Sequence, residues 1–170
     1  VVNRSPARDW IAILLAAPAL VLTLLSIFIV NGNLVVWSAL LEGLLYFYAA
    51  GSLIVYMLND DEVTVDELFA AGVTFTLFAW GYAYLYLVCQ AWVPGSFVYA
   101  THPGQPLTFL ELLFLSFTNL SATGLGDVVP VSAAARVIAM IEQFTGVGYV
   151  AVVVSRLVSL TATRRKARQG

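Results

Sequence analysis

Apolar residues in this chain run in long unbroken blocks rather than alternating with polar ones. Four such blocks stand out, Trp10 to Val30, Leu34 to Leu58, Leu68 to Val93 and Ala133 to Leu160, and each reaches or exceeds the ~20 residues that a helix needs to cross a bilayer. The first runs past the length of a signal-peptide core and no small-residue cleavage pattern follows it, so it is read as a retained span, with an expelled signal peptide as the alternative. A different pattern separates the third block from the fourth. Pro94 to Pro106 is rich in Pro and Gly and holds the only histidine, His102, which predicts an ordered loop. Leu107 to Leu120 is apolar again but too short to cross, as expected of a re-entrant segment. The prediction is an all-α integral membrane chain of four transmembrane helices plus one re-entrant helix.

Composition agrees with lipid as the solvent. The chain has 170 residues, 61% hydrophobic and 11% charged, with mean hydropathy +0.89, whereas an average soluble domain is ~25% charged. A net charge of -2 without a continuous basic face argues against a nucleic-acid partner. Cys89, the single cysteine, lies in an apolar block, which excludes an intrachain disulfide or a cysteine zinc cluster and predicts a small buried hydrophobe. The chain begins at Val1 rather than Met, which points to processing or trimming.

Basic residues in short loops tend to stay cytoplasmic. Arg4 and Arg8 precede the first block, and Arg164, Arg165, Lys166 and Arg168 follow the last. Four spans put both termini on one side, so both are expected to be cytoplasmic, in the plasma membrane. Asn59 to Glu67 is then cytoplasmic as well; its acids Asp60, Asp61, Glu62, Asp66 and Glu67 weigh little in the rule. Thr64, three residues before Glu67, suits an N-cap for the third helix, with a cytoplasmic divalent-cation sensor as the alternative role for these acids. The loop Pro94 to Pro106 faces outward. Arg136 falls on the outer side near the start of the last helix and needs a local partner there. Trp80, Tyr82, Tyr84, Tyr86 and Trp92 are expected to serve packing and an interfacial belt.

Ser116 to Val131 reads SFTNLSATGLGDVVPV, a short helix end followed by Thr123, Gly124, Leu125, Gly126 and Asp127. This segment resembles the pore loop of the tetrameric potassium channel superfamily, usually written TVGYGD, with Gly124, Leu125, Gly126 and Asp127 on its last four places. The physics of such a loop stands apart from the name. Stripping water from a cation takes a ring of oxygens, and potassium filters supply it as backbone carbonyls from four chains around one axis. Consecutive carbonyls point one way only when alternate residues take backbone angles that glycine adopts freely, and Gly124 and Gly126 are spaced for that.

The resemblance implies the order outer helix, pore helix, filter and inner helix over roughly Leu68 to Leu160. It divides the chain into residues 1–67, two N-terminal transmembrane helices and an acidic cytoplasmic linker; residues 68–160, the pore domain; and residues 161–170, a basic cytoplasmic tail. It implies a homotetramer, a selectivity filter of Ala122, Thr123, Gly124, Leu125, Gly126 and Asp127, and permeant potassium held by the carbonyls of Ala122, Thr123, Gly124 and Leu125, with no cofactor and no catalytic residue. Gly146, with Gly148 close behind, matches the family's inner-helix hinge, and Arg136 a basic position common at the start of its inner helix. The sequence departs from the pattern where Ala122 replaces the filter threonine, Thr123 the valine and Leu125 the tyrosine. Ala122 removes the hydroxyl ring of the innermost ion site and Leu125 a hydroxyl that braces the filter, so a weakly selective sodium/potassium pore is the alternative to a potassium pore.

Ionisable residues within the membrane are functional candidates. Glu142, about four turns past Asp127, lies within reach of the back of the filter, where Thr123 offers a hydroxyl. It is expected to accept hydrogen bonds from the pore helix or filter and hold the loop open; a polar interhelix bond without a gating role is the alternative. Glu111 complements the pore-helix dipole, and Glu42 is expected to face another helix of the bundle. No arginine lies between Trp10 and Leu58, which argues against a voltage sensor. The basic tail suits anionic lipid headgroups or serves as a topology anchor. His102 is either an external pH sensor or a solvated loop residue. From another functional class, Gly124 to Asp127 also resembles the GxGD motif of intramembrane aspartyl proteases. That chemistry needs a second intramembrane aspartate, and Asp9, Asp60, Asp61 and Asp66 all fall at predicted membrane edges.

Overall fold

A computed structural model of the chain describes residues 6–28, 32–59, 65–99 and 104–169. The order is α1 (Pro6–Phe28), α2 (Gly32–Asn59), α3 (Val65–Trp92), β1 (Phe97–Tyr99), α4 (Phe109–Leu120), β2 (Val128–Pro130) and α5 (Ala133–Gln169). Each expected apolar block is helical over its described residues. Arg4, Asp60, Asp61, Glu62, Thr64 and His102, to which the sequence assigned roles, lie outside the described residues.

Three helices are long and apolar enough to cross a membrane, over Gly32–Leu58, Leu68–Trp92 and Ala133–Arg156, while α1 offers the shorter apolar stretch Ala16–Leu25. Three of the four expected spans are thus met among the described residues.

The helices pack in chain order. α1 lies on α2, α2 on α3, and α3, α4 and α5 contact one another. Small residues let α2 and α3 approach closely, as is common between membrane helices: a Cβ on Gly81 would sit 3.1 Å from the Phe47 ring, and one on Gly43 3.3 Å from Tyr84 Cβ. Rings fill the rest of the seam, with Tyr46 stacked on Tyr84 at 5.7 Å and Phe47 edge-on to Tyr82 at 4.9 Å. The core gathers around α4, where Leu112, Leu115 and Leu120 meet Tyr82, Tyr86, Cys89 and Ala139. Cys89 is buried and free, as a small hydrophobe would be.

The chain is helical as expected, with one short strand pair added. Inside the segment read as a loop, Phe97–Tyr99 pairs antiparallel with Val128–Pro130, with Phe97 opposite Pro130 and Tyr99 opposite Val128. β-Branched and aromatic residues favour such pairing, and Phe97 and Val128 turn inward to join the core while Val98 and Val129 stay exposed. Beyond the ladder, Val131 N donates to Ser96 O at 2.8 Å. The two strands tie the end of α3 to the start of α5 and so hold the chain on both sides of α4.

Candidate functional site

Gln90 fixes the entry to α4 by donating to Leu107 O at 3.0 Å while its own oxygen accepts from Leu107 N at 2.9 Å. Thr108 caps the helix, its hydroxyl accepting from Glu111 N at 3.4 Å while the Glu111 carboxylate accepts from Thr108 N at 2.7 Å. This reciprocal capping box satisfies two orphan donors. It gives Glu111 a more specific role than the dipole alone.

At its other end α4 closes in a Schellman motif. Thr123 N donates to Thr118 O at 3.0 Å and Ala122 N to Asn119 O at 3.0 Å, around the cap residue Ser121. Such a motif places the residue after the cap in left-handed backbone, usually a glycine. Here that residue is Ala122, at φ 56°, and Gly124 follows at φ 64°. Alternate residues are therefore left-handed, but at 122 and 124 rather than at the expected 124 and 126. The pattern begins two residues early because the helix cap itself requires the first left-handed position. Ser121 through Asp127 are all exposed. The Thr123 hydroxyl donates to Thr118 O at 3.2 Å and lies 3.0 Å from Ser121 Oγ, not against Glu142.

Glu142 is fully buried, at 0% exposure. Its carboxylate accepts from Ser116 Oγ on α4 and from Tyr86 Oη on α3. Asn119 Nδ2 donates to Tyr86 Oη at 3.1 Å, and Gln143 Nε2 donates to Asn119 Oδ1 at 3.3 Å. Ser116 Oγ also lies 2.7 Å from Ala79 O. One carboxylate thus joins outer, pore and inner helices directly beneath the segment that carries Ala122 to Asp127. No buried side-chain nitrogen or oxygen among the described residues lacks a partner, as a polar cluster in a low-dielectric setting requires.

The two inner-helix glycines differ in their surroundings. A Cβ on Gly146 would lie 2.0 Å from Leu120 O, whereas one on Gly148 would meet nothing within 4 Å. Gly146 is where the backbone of α5 rests on the last turn of α4, and α5 runs through both glycines as one helix. Arg136 finds its local partner in a carbonyl, with Nε donating to Pro130 O at 3.2 Å.

The sequence reading did not find the partners of Glu142, Tyr86 and Ser116, or Asn119 beside them. Of the aromatics expected to serve packing and a belt, Tyr82 and Tyr86 serve packing, at 5% and 0% exposed, and the Tyr82 hydroxyl lies 2.8 Å from Thr145 Oγ1. Their i,i+4 spacing puts both on the face of α3 toward α5, which was the available signal. Trp92, 62% exposed at the end of α3, suits the belt. Glu42 does face other helices: Thr23 of α1 donates to it at 2.7 Å and Tyr84 of α3 hydrogen-bonds to it.

A pore helix ending in an exposed, partly left-handed strand, backed by a polar clamp on the following helix, defines a pore-loop membrane protein. A family model described as an ion channel matches residues 73–163, from within α3 through α4 and the exposed segment into α5. The chain belongs to this ion channel family, the potassium channels built from two helices around a pore loop. No curated protein and no solved structure matches it.

Proposed function

We propose that the chain is a passive cation channel, potassium its leading ion, in which four copies meet so that the carbonyls of Ala122, Thr123, Gly124 and Leu125 line one axis. The observation that carries this reading is the left-handed backbone at Ala122 and Gly124, in an exposed segment anchored to the end of the pore helix through Thr118 O. One such strand supplies one side of an ion site, and a ring needs a closed rotational assembly. The exposed apolar residues Val137, Ile141 and Val147 along α5 supply surface for it. Non-helical backbone at membrane depth is tolerated where it lines a cavity, which four copies would create.

In this reading α1 completes four spans, both termini are cytoplasmic, and the protein resides in the plasma membrane. The basic end of α5 meets anionic headgroups at ~1 kcal/mol per base. Gly126 and Asp127 close the filter on its outer side, Arg136 steadies the descending strand through Pro130, and Glu142 and Gly146 couple the filter to the inner helix. With Ala122 in place of a hydroxyl-bearing residue, the innermost ion site keeps carbonyls alone and selectivity between potassium and sodium is weakened.

Potassium flux from liposomes carrying the purified chain, with barium as blocker, tests the proposal. Barium-sensitive potassium efflux is expected. Vesicles no leakier than protein-free controls would overturn it, and peptide cleavage lost in Asp127→Asn would replace the channel with the protease.

A further inference from the structure

On the half of α5 away from the filter, a cleft of about 320 Å³ opens between α2, α3 and α5. Ile54 and Met57 of α2, Phe78 of α3, and Gly148, Val152 and Arg156 of α5 line it. Among the described residues, Arg156 is the only charged one lining it. Gly148 helps explain why the cleft exists, because the open space a Cβ would find there is part of the groove. The volume is at the lower end of the ~300–1,000 Å³ of ligand pockets, which are mostly apolar with few polar groups.

Its depth matches one leaflet. The apolar part of α5, Ala133–Arg156, has 24 residues, or ~36 Å at ~1.5 Å per residue, enough to cross a hydrocarbon core of ~30 Å. Counted from Ala133, that length brings Arg156 to headgroup level. From Arg156 back to Phe144, the groove follows α5 for ~18 Å, close to the ~15 Å of half that core. An arginine at this depth lays its stem along apolar surface and turns its guanidinium toward phosphate, which it binds in a planar fork.

We propose that this cleft is a phospholipid site: one acyl chain of a lipid in the leaflet opposite the filter lies between Ile54 and Val152, with its phosphate at Arg156. The inference rests on the chain spanning the membrane, as the proposed function requires, but not on conduction. It gives the N-terminal helix pair a function, since α2 supplies the wall that makes a groove of the inner-helix surface. A lipid there touches Gly148 and Tyr149, so its occupancy bears on the movement of α5.

The test uses the full chain in phosphatylethanolamine and phosphatidylglycerol vesicles doped with a phospholipid carrying an acyl-chain diazirine, followed by irradiation and peptide mapping. Labelling at 54–58 and 144–156 is expected to exceed that of the exposed α1 residues Leu20 and Leu24 roughly tenfold, the weight of a specific site over bulk lipid. Ile54→Trp and Val152→Trp, which fill the cleft from α2 and from α5, should each abolish the excess, and Leu20→Trp should not. Arg156→Gln should reduce it and Arg156→Lys preserve most of it. Even labelling of cleft and α1, unchanged in both tryptophan variants, would overturn the site in favour of ordinary surrounding lipid. An intersubunit disulfide from cysteine at Val152, together with an unlabelled cleft, would assign the groove to a second copy. Potassium flux from the same vesicles separates the readings: flux with even labelling removes the lipid site alone, and labelled but non-conducting vesicles remove the channel alone.

Discussion

Two glutamates sit within the helical bundle, one in the pore unit and one in the N-terminal pair, and they are held differently. Glu142 is fully buried and clamps three helices of the pore unit through Ser116 and Tyr86, with Asn119 and Gln143 completing the chain of donors. Glu42 is only partly buried and meets Thr23 and Tyr84 at the seam of α1, α2 and α3. A polar group enclosed with no spare room loses heavily when a partner goes, because the orphaned donor has no water to turn to. A group with partial access re-forms its bonds elsewhere. Glu142 therefore locks its three helices together, whereas the seam around Glu42 has room to adjust.

Substitutions sharpen that contrast. Gly146→Ala should have the largest effect, since the new methyl meets a backbone oxygen at 2.0 Å and that atom moves only if α4 and α5 part. A loss of ~3 kcal/mol or more, at the top of the overpacking range, should appear in thermal melts as a lowered transition and loss of the assembled oligomer, with Gly148→Ala close to wild type. Glu142→Ala should come next, at ~2–3 kcal/mol, by orphaning the Tyr86 hydroxyl and leaving Ser116 with Ala79 O alone. Glu142→Gln keeps the shape and should alter open probability or filter stability. Unchanged conduction and unchanged oligomer stability in Glu142→Gln would remove the clamp from the gating account.

Ala122→Gly relieves a left-handed alanine and should raise stability by ~1 kcal/mol, read as a higher melting temperature. If it instead lowers the melting temperature, the Schellman geometry at the pore-helix end is wrong. Glu42→Gln should be the mildest, near the ~0.6 kcal/mol average for hydrogen bonds between membrane helices, with conduction intact. An effect on conduction equal to that of Glu142→Gln would erase the distinction between the two regions.

Much of the pore unit was legible in the sequence because its signals are local. Block lengths gave the helices to within a few residues except at the end of α5, which continues past Leu160 to Gln169, and Thr123 to Asp127 marked the end of the pore helix. What stayed hidden depends on distance along the chain. Tyr86 and Glu142 are 56 residues apart, and only the fold brings them together. Gly146 matched a hinge position by resemblance, but its contact with Leu120 O is visible only once α5 is laid on α4. The strands β1 and β2 are three residues each, too short for an alternating pattern to register. Ala122 was read as a lost hydroxyl, while its left-handed backbone follows from the cap geometry of the preceding helix.

The central claim is met most directly in a planar bilayer. Purified wild-type chain between solutions of unequal potassium chloride should carry a current that reverses at the potassium equilibrium potential and falls on adding barium. A current reversing at the chloride potential, or none from a protein shown to be inserted and folded, would contradict the account.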